Sequence, residues 1–289
     1  MALACSHCQP ANLPSAYLFD GPVDQTPDQT FDQTGISLRI TFLGTGTSVG
    51  VPRIGCECAV CTSTDRRNKR MRCSILIEYF EHAILVDTSP DLRTQALRND
   101  VRSVDAVLFT HGHADHLHGL DDVRAYCFGR EDPIPVYGDR PTLDRITRVF
   151  DYAFDSAWAQ AVPRLSLHPI EGDLELFGLQ VRPVPIIHGR LPVLAFRFGR
   201  FAYVTDCSEI PEDSMNQLRG LDVLVLGALR HKEHPTHFTV EQALDVVEEL
   251  QPRHTYFTHV AHDLDHEETN EYLPDNVELA YDGLVIDVA

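Results

Sequence analysis

From Leu38 onward the chain is a succession of short apolar runs broken by turn residues: LRITFLG, SILIEYF, AILVDT, DAVLFTH and IPVYGD. Runs of this length, rich in Val, Ile, Leu and Phe, read as strands, some half buried and some buried on both faces. A second set follows in LSLHPI, LQVRPVPII, VLAFRFG, RFAYVTD, DVLVLGA, TYFTH and VELAYDGLVIDV. Helical periodicity interrupts the strands at about 117–127, 141–154 and 239–250; in the last, Val240, Ala243, Leu244, Val247 and Leu250 share one face. Two strand-rich halves with few helices predict an α/β fold in which two mixed sheets pack face to face with helices outside.

Before Leu38 the pattern stops. Residues 1–36 are rich in Pro, Asp, Gln and Thr, repeat the triplet DQT three times and carry no apolar period. They read as a partly disordered extension preceding a domain over 37–289. Its CSHC, Cys5 to Cys8, has no second cysteine pair to complete a metal site and reads as plain thiols.

Composition narrows the class. With 43% hydrophobic residues the 289-residue chain supports a sizeable core. The 24 Lys and Arg against 43 Asp and Glu give a net charge of −19, which repels polyanions and argues against extended nucleic-acid binding while leaving room for a small anionic substrate. No stretch approaches the roughly 18 apolar residues of a membrane span, and MALACSHCQP lacks the regions of a signal peptide, so the expected location is cytoplasmic. Eight cysteines are too sparse for a disulfide scaffold, and in a reducing compartment a close cluster points to metal.

The densest chemistry is VLFTHGHADHLHGL, residues 107–120, where an apolar strand runs straight into His111, His113, Asp115 and His116. On an extended segment His111 and His113 point to the same side, so one ion takes both. Asp115 and His116 follow where the chain turns into a helix and reach a second ion beside the first. Two adjacent divalent ions need more ligands than one loop holds. His188 ends PVPIIHG, Asp206 ends FAYVTD and His259 ends TYFTH, each a lone ligand type after an apolar strand. Asp87, ending AILVD, reads as a carboxylate that orients a ligand imidazole.

This pattern resembles the metallo-β-lactamase-fold hydrolases, whose five motifs are matched by Asp87, by His111 to His116, by His188, by Asp206 and by His259. The resemblance implies an αββα sandwich over about 38–289. It implies one ion on His111, His113 and His188, another on Asp115, His116 and His259, and Asp206 bridging them. Zinc and manganese both suit such a set.

A further cluster, GCECAVC, places Cys56, Cys58 and Cys61 in a C-x-C-x-x-C run. Three thiolates make three quarters of a closed tetrahedral zinc site, and His262, three residues after His259, is the candidate for the fourth ligand. The insertion is similar to that of the PhnP group of phosphodiesterases, as are FLGTGTSVGVP, DPIPVYG and THVAH. In that group the matching cysteines and histidine hold structural zinc. His237, just before the helix near Thr239, matches the position where that group carries a histidine acting near the leaving group. His231 and His234 read as surface residues, and the basic stretch RRNKRMR, Arg66 to Arg72, as a solvated loop.

The expected activity is dinuclear metal-dependent cleavage of phosphodiesters, with small cyclic or linear nucleotide or ribose phosphates as the class implied by the resemblance. Two rivals share the fold: a glyoxalase-like thioester or lactone hydrolase, and a non-catalytic accessory protein of the pyrroloquinoline-quinone pathway type. A homodimer is compatible with the sequence. Neither the natural substrate nor the choice of zinc or manganese is legible in it.

Overall fold

The computed structural model describes residues 37–154 and 162–289. The predicted extension over residues 1–36, with its CSHC, lies outside them. One sheet joins β1 (Leu38–Gly44), β2 (Ser74–Tyr79), β3 (His82–Val86), β4 (Ala106–Leu108), β5 (Ile134–Gly138), β6 (Leu165–Pro169) and β14 (Val285–Val288) in the order β14-β1-β2-β3-β4-β5-β6. The other joins β7 (Leu174–Leu176), β8 (Leu179–His188), β9 (Leu191–Phe198), β10 (Phe201–Val204), β11 (Val223–Gly227), β12 (His254–Thr258) and β13 (Val277–Leu279) in the order β13-β12-β11-β10-β9-β8-β7. Both sheets are mixed. β3 to β6 and β10 to β13 pair in parallel, and the remaining neighbours pair antiparallel.

Three apolar layers follow from the alternation along the strands. Between the sheets lie Ile40, Ile77, Phe196, Phe198, Tyr203 and Val225, all buried. On the outside of the first sheet, Leu85, Val107 and Phe109 meet Leu92 of α2 (Leu92–Arg98) and Leu143 and Ile146 of α4 (Arg140–Val149). On the outside of the second, Leu224, Leu226 and Phe257 meet Met215 of α5 (Glu212–Gln217) and Val240, Ala243 and Val247 of α6 (Val240–Leu250). Each such side chain stabilises the fold by roughly 1.5–3 kcal/mol when fully buried. The result is the predicted sandwich of two sheets with helices outside. α6 begins in a capping box, with Thr239 accepting from the Gln242 amide and Gln242 from the Thr239 amide, so the helix start is fixed locally.

Two expectations change. VELAYDGLVIDV is two strands in different sheets: β13 closes the second, and β14 pairs with β1 of the first. The chain crosses at Asp282, half-buried where it accepts hydrogen bonds from the Thr45 amide and hydroxyl and the Met71 amide. The helix predicted at 117–127 is instead a short α3 (Ala114–Leu117) followed by a 3-10 helix over Leu120–Cys127. They part at Gly119, where a Cβ would stand 1.9 Å from the Ser89 carbonyl oxygen, so only glycine allows this approach. Among the described residues no helix is long and apolar enough to cross a membrane.

Candidate dinuclear metal centre

β8 and β10 are both antiparallel to β9, so they run the same way, and β10, β11 and β12 are mutually parallel. Their carboxyl ends therefore share one edge. His188 is the last residue of β8, His259 follows β12 directly, and Asp206 comes two residues after the end of β10. In the other sheet β3 and β4 are parallel, and Asp87 and His111 follow their ends. Asp87, Asp206 and His259 each leave their strand with positive φ, at 61°, 49° and 57°. This left-handed conformation costs a non-glycine residue about 1–3 kcal/mol, and it breaks the pleat just where a side chain must turn along the edge.

The structure brings the seven candidate ligands into two groups. Donor atoms of His111, His113, His188 and Asp206 lie within 4.8 Å of one another, and so do those of Asp115, His116, Asp206 and His259. Asp206 belongs to both. Its Oδ1 is 3.2 Å from His116 Nε2 and 3.2 Å from His259 Nε2, whereas its Oδ2 is 3.7 Å from His188 Nε2 and 3.9 Å from His111 Nε2. One carboxylate thus presents one oxygen to each group.

The donor set fits cations. His111 Nε2, His116 Nε2 and both ring nitrogens of His259 are buried without a hydrogen-bond partner among the described residues, an arrangement that favours a cation at their lone pairs. Burial by itself raises the Asp206 pKa, but His259 and His116 outweigh it and hold the carboxyl well below its usual range. Burial, followed by the neighbouring His116, drives His111 well below the usual imidazole value, leaving it neutral and ready to ligate.

The surrounding hydrogen bonds set the ring orientations. His116 Nδ1 donates to Asp87 Oδ2 at 2.7 Å, which aims Nε2 at Asp206 and Asp115. Asp87 also accepts from the Thr110 hydroxyl at 2.8 Å and the Thr110 amide at 2.9 Å. The same hydroxyl lies 3.0 Å from His111 Nδ1, so Asp87 steadies His116 directly and His111 through Thr110. His188 Nδ1 donates to the Thr236 carbonyl at 2.7 Å. Nothing in the sequence pattern marks Thr110 or Thr236, because their role depends on which oxygens meet across the edge.

His237, next to Thr236, is half-buried with its ring 4.6 Å from those of His188 and His259. Burial, then His259, pushes its pKa down to about 3. In the free site the ring is therefore neutral. His231 is exposed, between Glu241 and Tyr272. His234 departs from the surface reading: it is half-buried, 5.1 Å from His237.

Donor atoms of Cys56, Cys58, Cys61 and His262 also lie within 4.8 Å of one another. Cys56 and Cys58 Sγ stand 3.5 and 3.3 Å from His262 Nδ1, and the Arg53 and Cys61 amides donate to Cys61 and Cys58 sulfur. The cluster sits beside the strand that presents His259: Val260 donates to Thr45 and accepts from Thr47. The basic stretch next to it is not a solvated loop. Arg70 is only 3% exposed and donates to the Thr45 hydroxyl, the Ala280 carbonyl and His266, while Arg67 pairs with Asp65 and Glu267, and Arg72 with Asp91. Acceptors distant in sequence, the Ala280 carbonyl for Arg70 and Asp265 for Asn68, draw the stretch inward, which a local charge count misses.

A family model described as the β-lactamase superfamily domain matches residues 82–260. A crystal structure of a new diphosphatase from the PhnP family is 46% identical, with a TM-score of 0.83, covering 87% of this chain and 97% of that one. An octanoyltransferase of Porphyromonas gingivalis is 40% identical over 252 residues, which are 86% of this chain but 51% of that protein, so the chain spans about half its length. Zinc-bound PqqB of Methylobacterium extorquens is 22% identical with a TM-score of 0.71, covering 86% of this chain and 100% of that one, a likeness of fold. The chain belongs to the β-lactamase superfamily and, within it, to the PhnP family.

Proposed function

We propose that this PhnP-family chain is a dinuclear metal-dependent hydrolase of phosphodiesters, with small cyclic or linear nucleotide or ribose phosphates as substrates and residues 37–289 as its catalytic domain. The observation that carries this reading is Asp206, whose two oxygens face the two histidine groups separately. His111, His113 and His188 would hold one ion and Asp115, His116 and His259 the other, with Asp206 shared between the two groups. Two divalent ions, zinc or manganese, would supply Lewis-acid activation of water and neutralise charge on the phosphoryl oxygens.

The chain's own residues do the rest. Asp87 and Thr110 fix the rings of His116 and His111, and Thr236 fixes His188. His237, its ring 4.6 Å from those of His188 and His259, is assigned to the leaving group. Water adds to phosphorus as the bond to the leaving oxygen breaks, and the imidazole of His237 delivers the proton which that oxygen needs. Because the free ring is neutral, the proton is taken up as the anionic substrate arrives and offsets the penalty of burial.

The diphosphatase relative supports phosphoryl chemistry, being both 46% identical and matched over nearly its whole length. The octanoyltransferase name belongs to a protein of which half lies outside the match. PqqB shares the fold at 22% identity. A turnover screen on metal-loaded protein separates the readings. Bis(p-nitrophenyl) phosphate and a cyclic ribose phosphate should be hydrolysed well above a glutathione thioester and an octanoyl thioester. Preference for either thioester would overturn the phosphodiester reading, and a fully metallated protein inert to all four would favour an accessory role.

Cys56, Cys58, Cys61 and His262 would hold a structural zinc, which would tie the loop after β1 to the turn presenting His259. Changing Cys58 to Ser is expected to remove about one zinc per chain and to lower Tm by roughly 2–4 °C for each kcal/mol lost. Elemental analysis and thermal melting on one preparation check this; an unchanged zinc content would show that the thiols hold no ion.

A further inference from the structure

We infer that His234 is a positioning residue whose Nδ1 holds the turn that aims both His188, a candidate ligand, and His237, the proposed proton donor, an inference that rests on the phosphodiesterase reading. In the loop between β11 and α6, His234 and His237 face each other across an antiparallel bridge, with Pro235 and Thr236 forming the turn between them. The Thr236 carbonyl accepts from His188 Nδ1 at 2.7 Å, and the His237 ring stands 4.6 Å from those of His188 and His259. One two-residue turn therefore sets the orientation of a ligand ring and the place of the donor.

His234 closes that turn with its own side chain. Pro235 fixes its φ but brings no N–H, so it adds no hydrogen bond of its own. The Thr236 amide reaches His234 Nδ1 at 3.4 Å, and the Thr236 hydroxyl lies 3.2 Å from the same atom. An amide only donates, so Nδ1 is the acceptor and the ring hydrogen belongs on Nε2. Nδ1 is bonded to Cγ, as Oδ1 is in asparagine. The imidazole thus makes the side-chain bond to the amide two residues on that asparagine and aspartate make in turns. Burial, then Arg230, lowers the His234 pKa, which keeps the Nδ1 lone pair free for the turn.

The other side of the turn meets the backbone that follows the ligand. Gly189, next to His188, has a φ of 66°, and a Cβ there would lie 2.7 Å from Thr236 Cγ2. Thr236 is therefore enclosed between the His234 ring and Gly189. A displaced turn is felt at His188 through its hydrogen bond and through this contact, and at His237 through the chain.

The test compares His234→Asn, His234→Gln and His234→Ala with wild type in the full chain. Asparagine puts an oxygen where Nδ1 stands, glutamine reaches to the position of Nε2, and alanine supplies neither. Zinc affinity is measured by competition with a chromophoric chelator, and kcat and KM on a diester with an alkoxide leaving group and on bis(p-nitrophenyl) phosphate. In the Ala and Gln variants one zinc per chain should be held about 10-fold more weakly, the low end for a residue acting behind a ligand. Their kcat on the alkoxide ester should fall by about the same factor, and further than on bis(p-nitrophenyl) phosphate, with KM changing less. Asn should recover most of both losses. Asn as poor as Ala would overturn the proposal, and so would recovery by Gln but not by Asn, because the working atom would then be Nε2. Wild-type values in all three variants defeat it too. If the Ala variant does not fold, the contrast between Asn and Gln decides. The zinc measurement needs no substrate, so a metal-loaded wild type inert to both esters removes the phosphodiester reading, while an Asn–Gln contrast in zinc affinity upholds the hold of His234 on His188.

Discussion

Replacing Asp206 with alanine is expected to remove activity and metal together. Its two oxygens face different groups at 3.2 to 3.9 Å, so its loss takes a ligand from both proposed ions at once. Apart from Asp115 the remaining donors are histidines, which bring no negative charge to a buried site where a dication without enough anionic ligands carries a large desolvation cost. We expect phosphodiester turnover to fall by at least about 10³-fold, equivalent to roughly 4 kcal/mol of barrier, and bound metal at the centre to drop well below two ions. Asp206→Asn keeps the shape without the charge and should fall nearly as far. Elemental analysis and kcat from the same preparation decide the matter; a variant with full metal content and full rate would mean that Asp206 bridges nothing.

The second large effect is expected at His237, and it should have the opposite signature. Changing His237 to alanine deletes a ring stacked on His259, while the backbone beside it stays held, with Phe238 donating to the Cys207 carbonyl and Thr236 accepting from His188. Metal content should therefore persist. Turnover of a diester with an alkoxide leaving group is expected to fall about 10²- to 10⁴-fold, the usual contribution of a positioned proton donor. With p-nitrophenolate, which leaves without a proton, the fall should be only a few-fold. The alkaline limb of the kcat profile belongs to the donor in the enzyme–substrate complex and should vanish in the variant. Equal losses on both esters would assign His237 to holding the neighbouring rings instead of supplying a proton.

Much of this centre could be read from single strands. A run such as FAYVTD carries its own message: four apolar residues that must be buried, then a carboxylate that cannot follow them into the core. The same holds for TYFTH and PVPIIHG. The cysteine run was equally local, since C-x-C-x-x-C is a spacing. What could not be read were the partners that act through space. Asp87 reaching His111 by way of Thr110, and Thr236 steadying His188 from 48 positions away, leave no periodic trace. RRNKRMR looked solvated because charge predicts water unless a buried acceptor stands nearby, and Ala280 and Asp282 lie more than 200 positions away.

The sequence by itself therefore determined the alternation of strands, the sandwich and the residue types at the strand ends, because burial and turn preference act over a few neighbouring residues. Only the tertiary structure decided that residues 277–288 divide between two sheets, which oxygen of Asp206 faces which histidines, and that Thr236 lies against Gly189. These depend on distances between atoms that the chain brings together only when both sheets have closed over the shared core.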